Sequence, residues 1–415
     1  MKDIQLKNGI KLIYKEAFSD ITSFCIGFNG GALEEDGFPL GTAHAVEHMV
    51  FKETKNRSEG EINKLCDEIF GFQNAMTNYP YVIYYGTTLS EDFNKGLELF
   101  SDIVLNPTFP EKGFSEEINV ILEELKEWKD DLYQYCEDEL LYNAFNERRI
   151  KNLIIGTEES IKSITLEDLK TFYKKYYRPD NMVISVVTSL KFELVKDIVE
   201  NYFKDFKIGE KTFNLEDSNC EKNASIKLYE NNKVGVFQKL REEINGAKIQ
   251  YCYPIHSLNE EDMKMLKLFN FYFGEGTSSI LYDIIRTKNG LAYEISSDIK
   301  EERGIKLFTI TLGTSKDKVE KAIKLINESI EDIKNNNNFF TKEKIQSASK
   351  SIKLKKALRI EKSIQLAKDL TCYELMYNSY KKVYDEVENL SSIDGEKINT
   401  LINRVLNFPS IQIIK

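Results

Sequence analysis

The sequence predicts an α+β protein built from two homologous domains, each an antiparallel sheet with helices packed on one face. Two observations lead to this. The chain has 415 residues, which is too long for one ordinary hydrophobic core. Its second half also repeats the order of the first, because a strand at 306–313, a helix from Lys316, an Asn-rich break and a helix start near Phe340 follow the pattern seen from Tyr81 to Glu117. An internal duplication of this kind predicts two similar domains.

The junction is expected in the polar stretch around 208–223, which has no sustained periodicity. We therefore predict a catalytic domain at 1–210, a linker at 211–223 and a degenerate repeat domain at 224–415.

Hydrophobic periodicity and breaker residues define the elements of the first half. Runs rich in β-branched and aromatic residues indicate strands, and Ser90 and Thr165 are suited to cap helices. Asn106-Pro107 ends the helix that follows Ser90. The predicted strands are 10–15, 21–29, 81–89 and 182–190, and the predicted helices are 59–69, 90–105, 115–128, 131–147, 163–177 and 192–203.

Composition excludes several classes of protein. A net charge of -10 argues against a general nucleic-acid binder, which needs a basic excess. No apolar run is long enough to span a bilayer, and the first 18 residues lack the apolar core of a secretion signal. The six cysteines are scattered without a C-x-x-C pair, which is typical of reduced thiols. We expect a cytoplasmic protein that binds neither nucleic acid nor membrane.

The segment Gly41–Phe51 contains two of the three histidines of the chain. In a helix, His44 and His48 would lie four residues apart on one face with Glu47 beside them. Two imidazoles one turn apart can bind a single Zn²⁺, and a neighbouring carboxylate can accept a proton from water. This His-x-x-Glu-His order is the inverted zincin motif. The alternative is a pair of core histidines satisfied by hydrogen bonds.

A second acidic motif lies in the predicted helix 115–128. Glu117 and Glu124 are two turns apart and border the apolar stripe, whereas the other glutamates of the helix point away from it. Glu124 is the better candidate for a third metal ligand, and Glu117 for a supporting or auxiliary acid. Periodicity alone does not choose between them, and a solvated acidic helix is the alternative.

The repeat is expected to lack the metal site. Aligning Ser115 with Thr341 places Lys350 opposite Glu124, and Asn270 and Gly274 opposite the two histidines. His256 is the remaining histidine of the chain, and we interpret it as a residue at a strand end or in a loop.

These motifs together resemble the pitrilysin or insulinase family of zinc metallopeptidases, in particular its short-chain bacterial branch similar to the mitochondrial processing peptidase. The matching segments are His44–Lys52, Asn74–Thr77, Val120–Leu125 and Arg286–Tyr293. The resemblance extends over nearly the whole chain and implies the LuxS/MPP-like metallohydrolase fold.

The resemblance also implies roles for individual residues. One Zn²⁺ per chain would be held by His44, His48 and Glu124, with Glu47 as general base and Glu117 assisting nearby.

Substrate binding is implied in two places. Arg286 and Tyr293 would hold the scissile peptide, although plain packing is the simpler interpretation of their spacing alone. Asn74, Ala75 and Thr77 would lie at a sheet edge to which an extended peptide can add as a strand.

We therefore predict a zinc-dependent endopeptidase that cleaves extended oligopeptides inside a closed chamber formed by two chains, most simply a homodimer. The first alternative is a maturation protease for one leader or modified peptide, acting with a partner subunit. The second is a non-catalytic peptide-binding subunit.

Overall fold

The computed structural model describes residues 1–207 and 227–415, so the predicted linker at 211–223 lies outside the described residues. The strands are β1 (Lys2–Gln5), β2 (Lys11–Glu16), β3 (Ile21–Phe28), β4 (Phe70–Thr77), β5 (Val82–Leu89), β6 (Met182–Thr188), β7 (Gly235–Lys239), β8 (Gly246–Pro254), β9 (Ala292–Lys300), β10 (Leu307–Ser315) and β11 (Ser410–Ile414).

The α-helices are α1 (Thr42–Met49), α2 (Glu59–Ile69), α3 (Phe93–Leu105), α4 (Glu111–Asp130), α5 (Leu132–Ala144), α6 (Glu158–Ser163), α7 (Leu166–Tyr176), α8 (Phe192–Phe203), α9 (Glu260–Phe273), α10 (Val319–Asn335), α11 (Lys342–Glu361), α12 (Ser363–Tyr377), α13 (Lys382–Asp385) and α14 (Gly395–Val405). A π-helix covers Tyr282–Lys288. No helix in the described part of the chain combines the length and the apolar composition that a membrane span requires.

The chain forms two compact units, and each unit takes one segment from the opposite half of the sequence. Unit 1 contains Met1–Lys126, the described residues from Leu153 to the end of the first half, and Leu358–Val383. Unit 2 contains Glu127–Asn152, Lys227–Ala357 and Tyr384–Lys415. Helix α12 therefore belongs to the first unit and α5 to the second.

The sheet of unit 1 has six strands in the order β1-β2-β6-β3-β5-β4. Neighbouring strands are antiparallel except β2 and β6, which are parallel. The sheet is therefore mixed rather than purely antiparallel as predicted. Strand β4 is the last strand in the order, so one of its edges has no strand beside it among the residues that the structure describes.

Helices cover both faces of this sheet, whereas the sequence predicted one covered face. Residues Phe24, Ile26 and Phe28 of β3 point into the main core, which also contains the buried residues of α1 and α3. The alternate residues of β3 face α12: the Thr371 hydroxyl donates to the carbonyl oxygen of Cys25 at 3.3 Å. A helix from the distant end of the sequence thus covers the second face.

The sheet of unit 2 follows the same plan, with five strands in the order β7-β11-β8-β10-β9 and a single parallel pair, β7 and β11. Buried residues of α9, α10 and α14 form its core. On the opposite face α5 lies against β8 and β11, where Asn143 donates to the side chain of Gln412 at 2.9 Å. The predicted α+β architecture with two similar units is confirmed.

Most predicted elements are present with small shifts, and α2 and α8 have the predicted bounds. Six strands were not predicted: β1, β4, β7, β8, β9 and β11. Strand β4 was missed because Gly71 and Asn74 are poor strand formers and the strand follows α2 without a loop.

Candidate metal centre

The start of α1 is fixed by a glycine and a buried carboxylate. Gly41 has φ +96°, and a Cβ there would lie 2.3 Å from the carbonyl oxygen of Ile155, so only glycine fits. The Glu35 carboxylate accepts hydrogen bonds from the backbone N–H of Gly41 at 3.1 Å and of Ala43 at 2.9 Å. An anion at a helix N-terminus satisfies N–H groups that have no partner within the helix. This contact holds α1 in place.

His44, His48 and Glu124 converge on one point, with one ligand atom from each within 4.8 Å of the others. The two Nε2 atoms are 3.3 Å apart. The Oε2 atom of Glu124 lies 3.8 Å from Nε2 of His44 and 3.6 Å from Nε2 of His48. In the described ranges no other cluster of three His, Cys, Asp or Glu residues could hold a metal ion.

These distances fit a zinc ion. Zinc bonds of about 2.0 to 2.1 Å in a tetrahedron place neighbouring ligand atoms about 3.3 Å apart. Two imidazole nitrogens and one carboxylate oxygen are also typical ligands of a catalytic zinc site, which leaves its fourth position open. The structure thus brings together the three residues that the resemblance implied as ligands.

Glu117 contacts the back of His48 and does not point at the cluster centre. Its Oε1 atom lies 2.7 Å from Nδ1 of His48, and its Oε2 atom lies 3.1 Å from Nζ of Lys52. A carboxylate on the far nitrogen of a metal-binding histidine fixes the tautomer and the ring orientation. The hydrogen bond to His48, helped by Lys52, holds the pKa of Glu117 below its usual value.

The two histidines have opposite electrostatic surroundings. Burial, followed by the positive charge of His48, lowers the pKa of His44 to about 3. Burial also acts to lower the pKa of His48, but the hydrogen bond to Glu117 and the nearby carboxylates outweigh it, so that pKa is raised. His44 is therefore neutral near pH 7, with a lone pair available for a metal, whereas a metal must compete with a proton for His48.

Glu47 lies between the histidines on α1, and its carboxylate accepts a hydrogen bond from the hydroxyl of Thr77. Burial raises the pKa of Glu47, and the contact with Thr77 opposes part of that rise. A partly buried carboxylate with a raised pKa is suited to accept a proton near neutral pH.

The three residues of the implied peptide-binding segment all lie on the edge strand β4. Asn74 is exposed and its side chain caps the backbone N–H of Ala75 at 2.8 Å. Thr77 is buried and its side chain is engaged by Glu47. The backbone of β4 could still pair with a peptide, but the side chain of Thr77 points inward to Glu47.

Arg286 and Tyr293 lie together in unit 2. The Arg286 guanidinium is 4.9 Å from the ring centre of Tyr293 and 4.8 Å from that of Tyr282, to whose hydroxyl it also donates. These residues line a cavity of about 450 Å³ with Tyr133 and Glu294. Tyr293 is 77% exposed, so plain packing does not explain it. The π-helix that carries Arg286 is a rare conformation often found at functional sites.

Sequence reasoning missed three contributors to the centre: Glu35, Lys52 and the inward role of Thr77. No periodic signal could have found these residues, because each acts through a contact made by tertiary packing. Lys52 could have been noticed as the first cation after the helix that carries the histidines.

Two family models match the chain. A model described as insulinase (peptidase family M16) matches residues 12–158, which include every residue of the metal cluster. A model described as the peptidase M16 inactive domain matches residues 163–352. The two matches together span most of the chain.

Relatives match over nearly the full length. A Bacillus subtilis protein called an uncharacterized zinc protease, YmxG, is 25% identical over 98% of this chain and 95% of its own length. A Rickettsia bellii protein, also called an uncharacterized zinc protease, is 27% identical over 97% of this chain and 94% of its own length. A probable mitochondrial-processing peptidase subunit beta of Arabidopsis thaliana is 31% identical over 48% of this chain and 38% of its own.

Solved structures show the same fold. A protease from Helicobacter pylori superposes with a TM-score of 0.88 at 21% identity, covering 100% of this chain and 99% of that one. A peptidase M16 inactive domain structure from Pseudomonas fluorescens superposes with a TM-score of 0.86 at 18% identity, covering 100% of this chain and 97% of that one. With matching models in both halves and full-length zinc protease relatives, the chain belongs to the insulinase family, peptidase family M16.

Proposed function

We propose that this chain is a zinc-dependent endopeptidase that hydrolyses extended oligopeptides inside a closed chamber formed by two chains. The observation that carries the proposal is the convergence of His44, His48 and Glu124 with Glu47 between the two histidines. This set contains three ligands and a separate carboxylate with a raised pKa.

Each residue of the centre has a separate task. His44, His48 and Glu124 would hold one zinc ion, and the ion would supply Lewis-acid polarisation of the scissile carbonyl and lower the pKa of a water. Glu47 accepts a proton from the attacking water and then donates it to the leaving amide nitrogen. The hydroxyl of Thr77 donates to Oε2 of Glu47 and so orients the carboxylate.

Substrate would be bound at two places. The free edge of β4 offers backbone groups to an extended peptide, which favours unfolded oligopeptides over folded proteins. Arg286 and Tyr293 would bind the peptide backbone, with a guanidinium that has no carboxylate partner among the described residues and an exposed phenol.

The proposed assembly is a homodimer, because one chain carries both the metal cluster and the Arg286/Tyr293 group. We also propose that the protein acts in the cytoplasm, where its thiols stay reduced. The five cysteines in the described residues are all buried.

A dedicated maturation protease is the second candidate. The 31% identity to a protein named as a mitochondrial-processing peptidase subunit supports it. A non-catalytic subunit is the third, and the presence of Glu47 together with all three ligands opposes it.

The test combines metal analysis with mass spectrometry of a mixture of unrelated oligopeptides. We expect about one zinc per chain, cleavage of many peptides, and loss of cleavage after treatment with a chelator. Cleavage of only one or a few peptides would favour the maturation protease. A chain that binds no zinc, or that cleaves equally well with chelator, would contradict the proposal.

A further inference from the structure

We propose that Lys52 is a positioning residue of the metal centre: it anchors one oxygen of Glu117 so that the other oxygen stays on Nδ1 of His48, which keeps Nε2 aimed at the metal. The inference rests on the zinc site of the proposed function but not on peptidase activity.

The contacts form a continuous line from Lys52 to the cluster. Nζ of Lys52 lies 3.1 Å from Oε2 of Glu117, and Oε1 of Glu117 lies 2.7 Å from Nδ1 of His48. Nε2 of His48 faces Nε2 of His44 at 3.3 Å. Each oxygen of Glu117 therefore has one partner, and neither can leave without breaking the line.

This ion pair is not a surface contact. The side chains of Lys52 and Glu117 are only 12% and 11% exposed, so water can replace neither partner easily. Exposed ion pairs contribute little, whereas removing one partner of a buried pair leaves an uncompensated charge. The second partner of Lys52 is Glu59, at 2.8 Å, which is more exposed.

The backbone also accommodates Lys52. Gly113 lies one turn before Glu117 on α4, and a Cβ at Gly113 would lie 3.5 Å from both Cβ and Cε of Lys52. The aliphatic part of Lys52 thus passes over α4 where that helix has no side chain. Lys52 follows the end of α1 by three residues, so it joins the helix of the histidines to the helix of the carboxylates.

The other histidine has no comparable support. Nδ1 of His44 is buried without a hydrogen-bond partner in the described part of the structure. The orientation of the histidine pair therefore depends on the line of contacts through His48. If Lys52 is removed, no hydrogen bond to His44 compensates for it.

The experiment measures zinc affinity of the full chain by competition with a chromogenic chelator. We expect Lys52→Met to weaken zinc binding about tenfold and Glu117→Gln by about 10- to 100-fold, the usual range for residues that orient a ligand. Lys52→Arg keeps the charge and should stay within about threefold of the wild type. Glu59→Gln is the matched control, because it removes the other partner of Lys52, and should also stay within about threefold.

A double variant separates positioning from general packing. In the Glu117→Gln background, Lys52→Met should cause no further loss, since the line is already broken. A further tenfold loss there, an equal loss in Glu59→Gln, or wild-type affinity in Lys52→Met would each overturn the proposal. The melting temperature of each zinc-free variant shows that it is folded. A wild-type chain that binds zinc but cleaves no peptide would contradict the proposed function alone, whereas one without zinc affinity would overturn both.

Discussion

In helix α1 of unit 1, the ligand atoms converge on a common point. In α9, the helix at the corresponding place in unit 2, the polar groups form hydrogen bonds with neighbouring residues instead. Asn270 of α9 accepts a hydrogen bond from the hydroxyl of Ser297 at 2.7 Å. The backbone N–H of Ser297 donates to the carbonyl oxygen of Gly274 at 3.2 Å. A Cβ at Gly274 would lie 2.1 Å from that hydroxyl.

The difference shows how one scaffold can be catalytic or structural. In unit 2 the hydroxyl and the backbone N–H of Ser297 both have acceptors on or next to α9, so this contact is complete without a ligand. In unit 1, two ring nitrogens and a carboxylate oxygen face one another, and a cation satisfies them all. Helices α4 and α11 differ in the same sense, since Glu124 belongs to the cluster and Lys350 is exposed.

The largest effect is expected from Glu47→Gln. Removing the base should lower kcat by about 10² to 10⁴-fold, with zinc content and melting temperature unchanged because Glu47 is not a ligand. Steady-state kinetics on a cleaved oligopeptide together with metal analysis measure this. Full turnover in the variant would assign the proton transfer to another group.

Glu124→Gln should weaken zinc binding by more than about 100-fold, since loss of a ligand exceeds the usual effect of its supporting residues. Chelator competition measures it. Glu123→Gln is the matched control on the same helix, because Glu123 is 69% exposed and pairs only with Lys126 among the contacts described. Equal losses in the two variants would remove Glu124 from the site.

Zinc affinity should fall as the pH falls, by up to about tenfold per pH unit once the pH is below the raised pKa of His48, because the ion must displace one proton there. His44, with a pKa of about 3, stays neutral and adds no slope. The contribution of His48 to the stability of the zinc-free chain changes with pH in the opposite direction. The raised pKa of His48 stabilises the fold fully below the unfolded value of 6.5, and this contribution is lost as the pH rises through the folded pKa.

Chelator competition at a series of pH values measures how steeply zinc affinity changes with pH. Glu117→Gln is the comparison, because the hydrogen bond to Glu117 is the main contact that raises the pKa of His48. An unchanged slope in that variant would contradict the assignment.

Thr77→Val should lower kcat about tenfold with KM and zinc content nearly unchanged, because the base loses the hydroxyl that orients it. Thr77→Ser keeps the hydroxyl and should retain most of the activity. A rise in KM at constant kcat would instead support a direct role of Thr77 in binding the peptide.

The smallest effect on function is expected in unit 2. Gly274→Ala should lower the free energy of unfolding by about 1 to 3 kcal/mol, the usual cost of overpacking, while zinc affinity stays at the wild-type value. Chemical denaturation and chelator competition test both parts. A loss of zinc affinity would show that the closed contact of unit 2 supports the metal centre.

Local spacing accounts for what the sequence could predict. The two histidines are four positions apart, and Glu117 and Glu124 are seven positions apart. Both spacings place side chains on one face of a helix. Spacing could not separate the roles of the two glutamates, because that depends on which one meets Nδ1 of His48. Lys52 and Thr77 act through contacts between elements distant in sequence. Glu35 acts through backbone N–H groups six and eight residues further on, and helical periodicity encodes neither kind of contact.

The positions of α5 and α12 were unpredictable for a related reason. An amphipathic helix shows which of its faces is apolar, but not which sheet that face will cover. Both helices cover the sheet of the unit formed mainly by the opposite half of the chain.

The packing of α12 on the sheet of the first half has a consequence for biosynthesis. Gly27 of β3 meets the side chains of Thr371 and Leu375, so one face of the first sheet stays uncovered until the ribosome has translated nearly the whole chain. The N-terminal half therefore cannot complete its fold during its own synthesis, as independent domains generally do. An isolated N-terminal half would lack the helix that covers one face of its sheet.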